Sequence, residues 1–108
     1  MTDKHIATAD ILMDIEMALR ELTLWQAETP PASALESQQP FAVDTLTFPQ
    51  WLQFMFLPRM YGLIEIRGAL PSQCEIAPMA EEYFRPQPHL NGEPLITQLH
   101  RIDRLLSA

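Results

Sequence analysis

The sequence predicts an all-α fold: an antiparallel four-helix bundle of three longer helices and one short one, with the central helix kinked at Pro58. Three observations carry this. Apolar residues recur at spacings of three and four near both ends of the chain. The block from Phe48 to Ile66 is apolar on nearly every face, the pattern of a helix enclosed by others. No β-branched run alternates, apart from short pieces such as Phe41-Ala42-Val43.

The first helix is expected over residues 8–28. Ile11, Ile15, Ala18, Leu22 and Trp25 form its apolar stripe, Leu12 and Leu19 widen it, and Asp10, Asp14, Glu21 and Glu28 take the opposite side. Thr8 is its expected N-cap, and Glu16 precedes Arg20 by four, the favourable order for an ion pair. Residues 29–47, with Pro30, Pro31 and Pro40, read as one long proline-rich connection. Phe41 and Val43 are its expected anchors, leaving 30–38 mobile.

The central helix opens on Thr47-Phe48-Pro49-Gln50, which has the form of a capping box. Pro58 falls inside it, removes an amide donor and clashes with the carbonyl of Phe54, so a kink or one-turn break is expected there. Gly62 offers room for bending or close helix approach. Gly68 suits a helix C-cap and Pro71 a stop. A short helix is expected from Pro78 to Phe84. The last runs from about 91–94 to Leu106, with Leu95, Leu99, Ile102 and Leu106 on one stripe.

A length of 108 residues fits one domain, 1–108, folding around a single core. The net charge of −7 and the scatter of seven basic residues argue against direct nucleic-acid binding, whose affinity comes from several clustered cations. Arg101 and Arg104 are explained by the macrodipole of the last helix. A single cysteine, no leader pattern at the start and no membrane-length apolar run point to the cytoplasm.

Catalytic sets fail on spacing. His5, His89 and His100 are far apart and there is one cysteine, so no metal site is expected. His100 and Asp103 read as an exposed i, i+3 pair. Cys74 lies beside Glu75, which raises a thiol pKa. Glu81 and Glu82 point about 100° apart on a helix and read as a solvated pair. No glycine-rich phosphate loop is present, and no cofactor is implied. Arg59 has two readings. Structurally, its guanidinium satisfies the carbonyl freed by Pro58 or pairs with Asp44 or Glu65; functionally, it is offered to an anionic ligand. The desolvation cost of a buried unpaired guanidinium favours the first. Trp51, Phe54, Phe56 and Tyr61, with Met55 and Met60, read as core, or as the wall of an apolar pocket.

Taken together, Gln39-Pro40-Phe41, Asp44-Thr45, Trp51-Leu52-Gln53, Pro58-Arg59-Met60 with Leu63, Leu70-Pro71, and Ala77-Pro78 followed by Glu81 or Glu82 resemble the YqcC-like family of small bacterial proteins. Trp25 also fits. The resemblance is dense over 39–82 and elsewhere rests on pattern. It implies a four-helix bundle and a label, tRNA pseudouridine synthase C, attached by association. Pseudouridine synthases resemble one another in a larger, sheet-rich fold with a catalytic aspartate in an Arg-Leu-Asp setting, whereas Asp44 sits in Ala-Val-Asp-Thr. The expectation is therefore a non-enzymatic module whose protein partner is an RNA-modifying enzyme, with Asp44, Trp51 and Arg59 as candidate partner- or ligand-binding residues. The alternatives are pseudouridine synthase activity itself and a bundle that binds a small apolar or anionic ligand.

Overall fold

A computed structural model describes residues 3–107, and among them the chain is all-helical with no strand. The helices are α1 (Lys4–Glu21), α2 (Ala32–Leu35), α3 (Phe48–Trp51), α4 (Leu57–Glu65), α5 (Ala77–Phe84) and α6 (Glu93–Ser107). A π turn, Leu52–Phe56, joins α3 to α4 in one rod, and a 3-10 turn occupies Pro40–Ala42. No described helix is long and apolar enough to cross a membrane.

α1 begins and ends earlier than its periodicity predicts. Asp3 is the N-cap, its Oδ1 accepting from the His5 amide at 2.9 Å. Thr8, the expected cap, is fully buried inside the helix and its hydroxyl donates to Lys4 O at 2.7 Å. The helix stops because Thr23 turns left-handed (φ 59°), and Leu24 N then bonds Leu19 O at 2.9 Å. Leu22, Leu24 and Trp25 still pack on the core from this non-helical segment. Trp25 lies under the Arg20 guanidinium, 4.6 Å from ring to cation. The Glu16–Arg20 pair forms as expected, at 3.1 Å.

The central rod departs from expectation in an informative way. Its capping box is present: Gln50 N donates to Thr47 Oγ1 and Thr47 N to Gln50 Oε1. Beyond it, the irregularity expected at Pro58 takes the form of a π turn just before it. Leu57 N reaches back five residues to Leu52 O, and α4 starts at Leu57. Pro58 thereby becomes a first-turn residue of a new α segment, where a missing amide costs little. The same turn answers a phase problem. Phe48, Leu52, Phe56 and Met60 are all buried, at a strict spacing of four. An ideal α-helix would rotate such a series by about 40° per step, or about 120° over three steps; one wider turn takes up much of that drift.

The rod is not enclosed on all sides. Pro58, Arg59, Gly62 and Glu65 are exposed, so one side of α4 faces solvent. A Cβ on Gly62 would meet nothing within 4 Å, so this glycine does not serve to admit a close neighbour. At the end of α4 the left-handed residue is Arg67 (φ 51°), with Gly68 one place later, its amide bonded to Leu63 O at 2.8 Å. Arg67 also donates to Asp3 Oδ2 at 2.7 Å, and His5 Nε2 donates to Gly68 O at 2.8 Å, tying the start of α1 to the end of α4. The Arg67 hydrogen bond holds the partly exposed Asp3 carboxyl below its ordinary pKa.

α6 follows its stripe: Leu95, Leu99, Ile102 and Leu106 have no exposed surface. Each contributes about 1.5–3 kcal/mol by leaving water. Its acidic first turn (Glu93) and basic last turn (Arg104) complement the macrodipole. α6 packs on α1 and α5, α4 on α1, and α3 on α5, all around one core.

Candidate functional site

Four segments converge on an aromatic cluster. The 3-10 turn brings Phe41, α3 brings Phe48 and Trp51, the π turn brings Phe56, and α5 brings Tyr83 and Phe84. Phe41 meets Trp51 edge-on at 4.8 Å, and Trp51 stacks with Phe56 at 5.4 Å. Phe48 bridges Trp51 and Tyr83, each 6.2 Å away, and Tyr83 meets Phe84 at 5.1 Å. These separations fall in the favourable range for aromatic pairs.

One side of the cluster opens to solvent as a groove of about 270 Å³, lined by Phe41, Val43, Leu46, Phe48, Met79, Glu82 and Tyr83. Its wall is apolar except for Glu82, whose carboxylate is already paired with Arg85 at 2.8 Å. The loop at the rim is strained: Phe41 and Ala42 have φ of 57° and 50°, a left-handed conformation that costs about 1–2 kcal/mol per non-glycine residue. Ala42 and Leu46, both buried, anchor this loop. Val43, an expected anchor, is 58% exposed on the groove. The large side chain and the small ones exchange roles because the left-handed turn points Ala42 inward.

Asp44 lies one residue beyond Val43, exposed, and accepts a hydrogen bond from the Ser37 hydroxyl. Trp51 is half-buried in the cluster behind the groove. Arg59 is exposed and lines neither this groove nor the other depressions described for the surface; among the described residues it makes no ion pair and no side-chain hydrogen bond. The reading in which Arg59 caps a freed carbonyl or pairs with Asp44 or Glu65 is therefore corrected. The π turn deals with the proline, and the guanidinium stays in water, where it needs no partner.

A second, larger recess of about 710 Å³ lies on the other side of Phe41, lined by Phe41, Ser72, Gln73, Cys74, Glu75 and Ser107. Its thiol is held in the protonated form. Burial first, and then the neighbouring Asp103 carboxylate, push the Cys74 pKa up to about 12. The direction agrees with the sequence reading, but the charge responsible is Asp103 and not Glu75. Asp103 faces inward, accepting from the amides of Ile76 (2.9 Å) and Ala77 (2.8 Å) and so capping α5 from another helix. His100 instead pairs with Glu81 at 3.0 Å, so Glu81 is not simply solvated. Among the described residues no cluster of three or more potential metal ligands occurs.

The sequence names Gln53 only as part of the Trp51-Leu52-Gln53 motif and does not indicate its structural role. The residue is buried, and its amide accepts from Gln26 N at 2.8 Å and donates to Gln26 O at 2.7 Å. A buried glutamine in the middle of an apolar block was the available signal, because a buried amide requires partners.

A family model described as tRNA pseudouridine synthase C matches residues 7–105. An uncharacterized protein of Haemophilus influenzae is 36% identical over 98 residues, 91% of each chain. The uncharacterized protein YqcC of Escherichia coli (strain K12) is 32% identical over 96 residues, 89% of this chain and 87% of that one. A solution NMR structure of protein YqcC from E. coli aligns with a TM-score of 0.83 at 28% identity, over 98% of this chain and 90% of the other. A Pectobacterium carotovorum protein named tRNA pseudouridine synthase C is 48% identical over 60 residues, which make up 56% of this chain but 16% of that protein.

Proposed function

This chain belongs to the YqcC-like family of small bacterial helical proteins, and from that premise we propose that it is a non-catalytic four-helix-bundle module that docks onto an RNA-modifying enzyme, a tRNA pseudouridine synthase. The observation that carries the reading is the groove beside Phe41. It offers apolar and aromatic side chains, a strained rim and one carboxylate already engaged, which suits an apolar anchor from a partner and supplies no acid–base pair. The Pectobacterium protein adds support, since a similar segment occupies a small part of a chain bearing that enzyme's name. Asp44 and Trp51 border or back the groove and belong to the same proposed surface; Arg59 is a separate exposed contact.

The test is calorimetric titration of a purified tRNA pseudouridine synthase C into the chain. Saturable binding is expected, weakened by Val43→Glu and by Tyr83→Ala and retained by a control substitution at an exposed site away from the groove, such as Glu65→Gln on α4. Equal binding by the groove variants removes the groove from the reading. The catalytic alternative is tested by tritium release from 5-tritiated uridine in tRNA with the chain alone, for which no release above background is expected. The small-ligand alternative is tested by a thermal-shift screen with acidic aromatic metabolites. An open groove at or below the volume of typical ligand pockets favours a protein anchor over an enclosed small molecule.

A further inference from the structure

α1 carries apolar residues on two opposite sides. Its inner side, with Ile11, Leu12, Ile15, Ala18 and Leu19, is in the core. On the outer side Ile6, Met13 and Met17 stand 59%, 60% and 58% exposed. Spacings of seven and four place these three within about 20° of one line along the helix, a stripe about 16 Å long. A helix that is apolar on both sides calls for cover on both.

One border of the stripe is acidic, while the other carries Arg20, already paired with Glu16. Asp10, exposed, sits in the gap between Ile6 and Met13, and Glu21, exposed, lies one turn past Met17. At the Met17 end, α1 and α6 leave a depression of about 240 Å³ lined by Asp14, Met17, Ala18, Glu21, Pro94 and Gln98. Met17, Ala18 and Pro94 supply its apolar part, Gln98 is polar, and its two charges are carboxylates. Asp14 is held only by a long contact to Arg101 at 3.4 Å, and Glu21 makes no ion pair among the described residues.

We infer that this face docks a basic amphipathic helix of a partner protein, its apolar edge along Ile6, Met13 and Met17 and a lysine or arginine seated in the depression between Asp14 and Glu21. The methionine side chains adapt to such an edge without a preformed groove. The carboxylates select a cation whose aliphatic stem lies on Ala18 and Pro94. A second copy of the chain is disfavoured, because it brings the same acidic residues and a net charge of −7 to an interface that already carries Asp10, Asp14 and Glu21. The inference uses α1 and α6 and stands apart from the Phe41 groove.

The test uses the full chain with methyl-labelled methionines and three synthetic peptides of about eighteen residues, long enough for several helical turns. One has leucine and lysine in amphipathic order, one has the same residues scrambled, and one replaces lysine by glutamate. The amphipathic lysine peptide is expected to shift the Met13 and Met17 methyl resonances and to bind about tenfold more tightly than the scrambled peptide, with no binding by the glutamate form. The Met13→Gln/Met17→Gln and Asp14→Asn/Glu21→Gln variants are each expected to weaken it about tenfold at an unchanged melting temperature, since these side chains sit largely in water. Equal affinity for the scrambled peptide overturns the proposal, as does a shift confined to residues of the Phe41 groove. Shifts of Met13 and Met17 on concentrating the protein alone overturn it too, by assigning the face to a second copy.

Discussion

The Gln53 side-chain amide is bonded to both main-chain groups of Gln26, accepting from its N–H at 2.8 Å and donating to its C=O at 2.7 Å. It acts as a one-residue strand, fastening the segment after α1 onto the central rod 27 positions later in the chain. Gln50 Nε2 adds a bond to Gln26 Oε1 at 3.3 Å.

Gln53→Leu is expected to cost about 2 kcal/mol, roughly the net value of two hydrogen bonds made by a buried group. Gln53→Glu keeps the acceptor, loses the donor and sets a carboxylate against a carbonyl. Its cost at neutral pH should be at least as large, and should shrink as acid protonates the carboxyl and restores a donor. Urea denaturation across the carboxyl titration range distinguishes the two variants.

Gly92 and Gly62 make opposite predictions from one substitution. A Cβ at Gly92 would lie 2.5 Å from the buried Phe84 ring, so Gly92→Ala is expected to destabilise by about 1–3 kcal/mol through overpacking. Gly62 is exposed within α4 with open space around it, so Gly62→Ala is expected to stabilise by up to about 1 kcal/mol. Paired denaturation curves check both. Combining Gly92→Ala with Phe84→Leu should cost less than the sum of the two single changes.

The Cys74 thiol has its pKa raised from 9.0 to about 12, so its thiolate fraction at pH 8 is about a thousandfold below that of the unfolded chain. Alkylation of the native protein is expected to be slower by at least that factor than in denaturant. The linkage sign follows. Between the unfolded and folded values the unfolded state has lost a proton that the native state keeps, so stability falls as pH rises above about 9. Cys74→Ser should flatten that alkaline decline, measured as melting temperature against pH.

Arg59→Ala is expected to change stability by no more than about 0.5 kcal/mol, because the guanidinium is exposed and unpaired among the described residues. A loss of several kcal/mol in urea denaturation would restore the pairing that its sequence context suggests. Binding of an RNA-modifying enzyme by this folded variant separately measures any role of Arg59 at a partner surface.

Much of the fold was legible because α6 and the capped start of α3 obey local rules. Leu95, Leu99, Ile102 and Leu106 keep helical spacing, and Thr47 and Gln50 satisfy each other within one turn. The start of α5 was read to within a residue from Pro78. The far end of α1 was overread, since Leu22 and Trp25 continue the stripe while Thr23 reverses the backbone beneath them. What escaped depends on distant partners. Asp103 caps a helix that begins 26 residues before it, Gln53 finds its partners 27 residues away, and neither separation leaves a local pattern. The groove was half legible. Phe41 and Trp51 stood out as aromatics, but the left-handed pair that buries Ala42 and turns Val43 outward has no glycine to announce it.

The π turn at Leu52–Phe56 also says where this chain tolerates a change of length. It stores one surplus residue between two stretches that both face the core. Excising a residue there lets the rod close up into plain α-helix with Phe48 and Met60 keeping their aspect. The same excision between Leu57 and Glu65 swings everything beyond the cut by about 100° and pulls one half of the rod off its neighbours. Viable relatives one residue shorter in the rod are therefore expected to have lost it at the π turn.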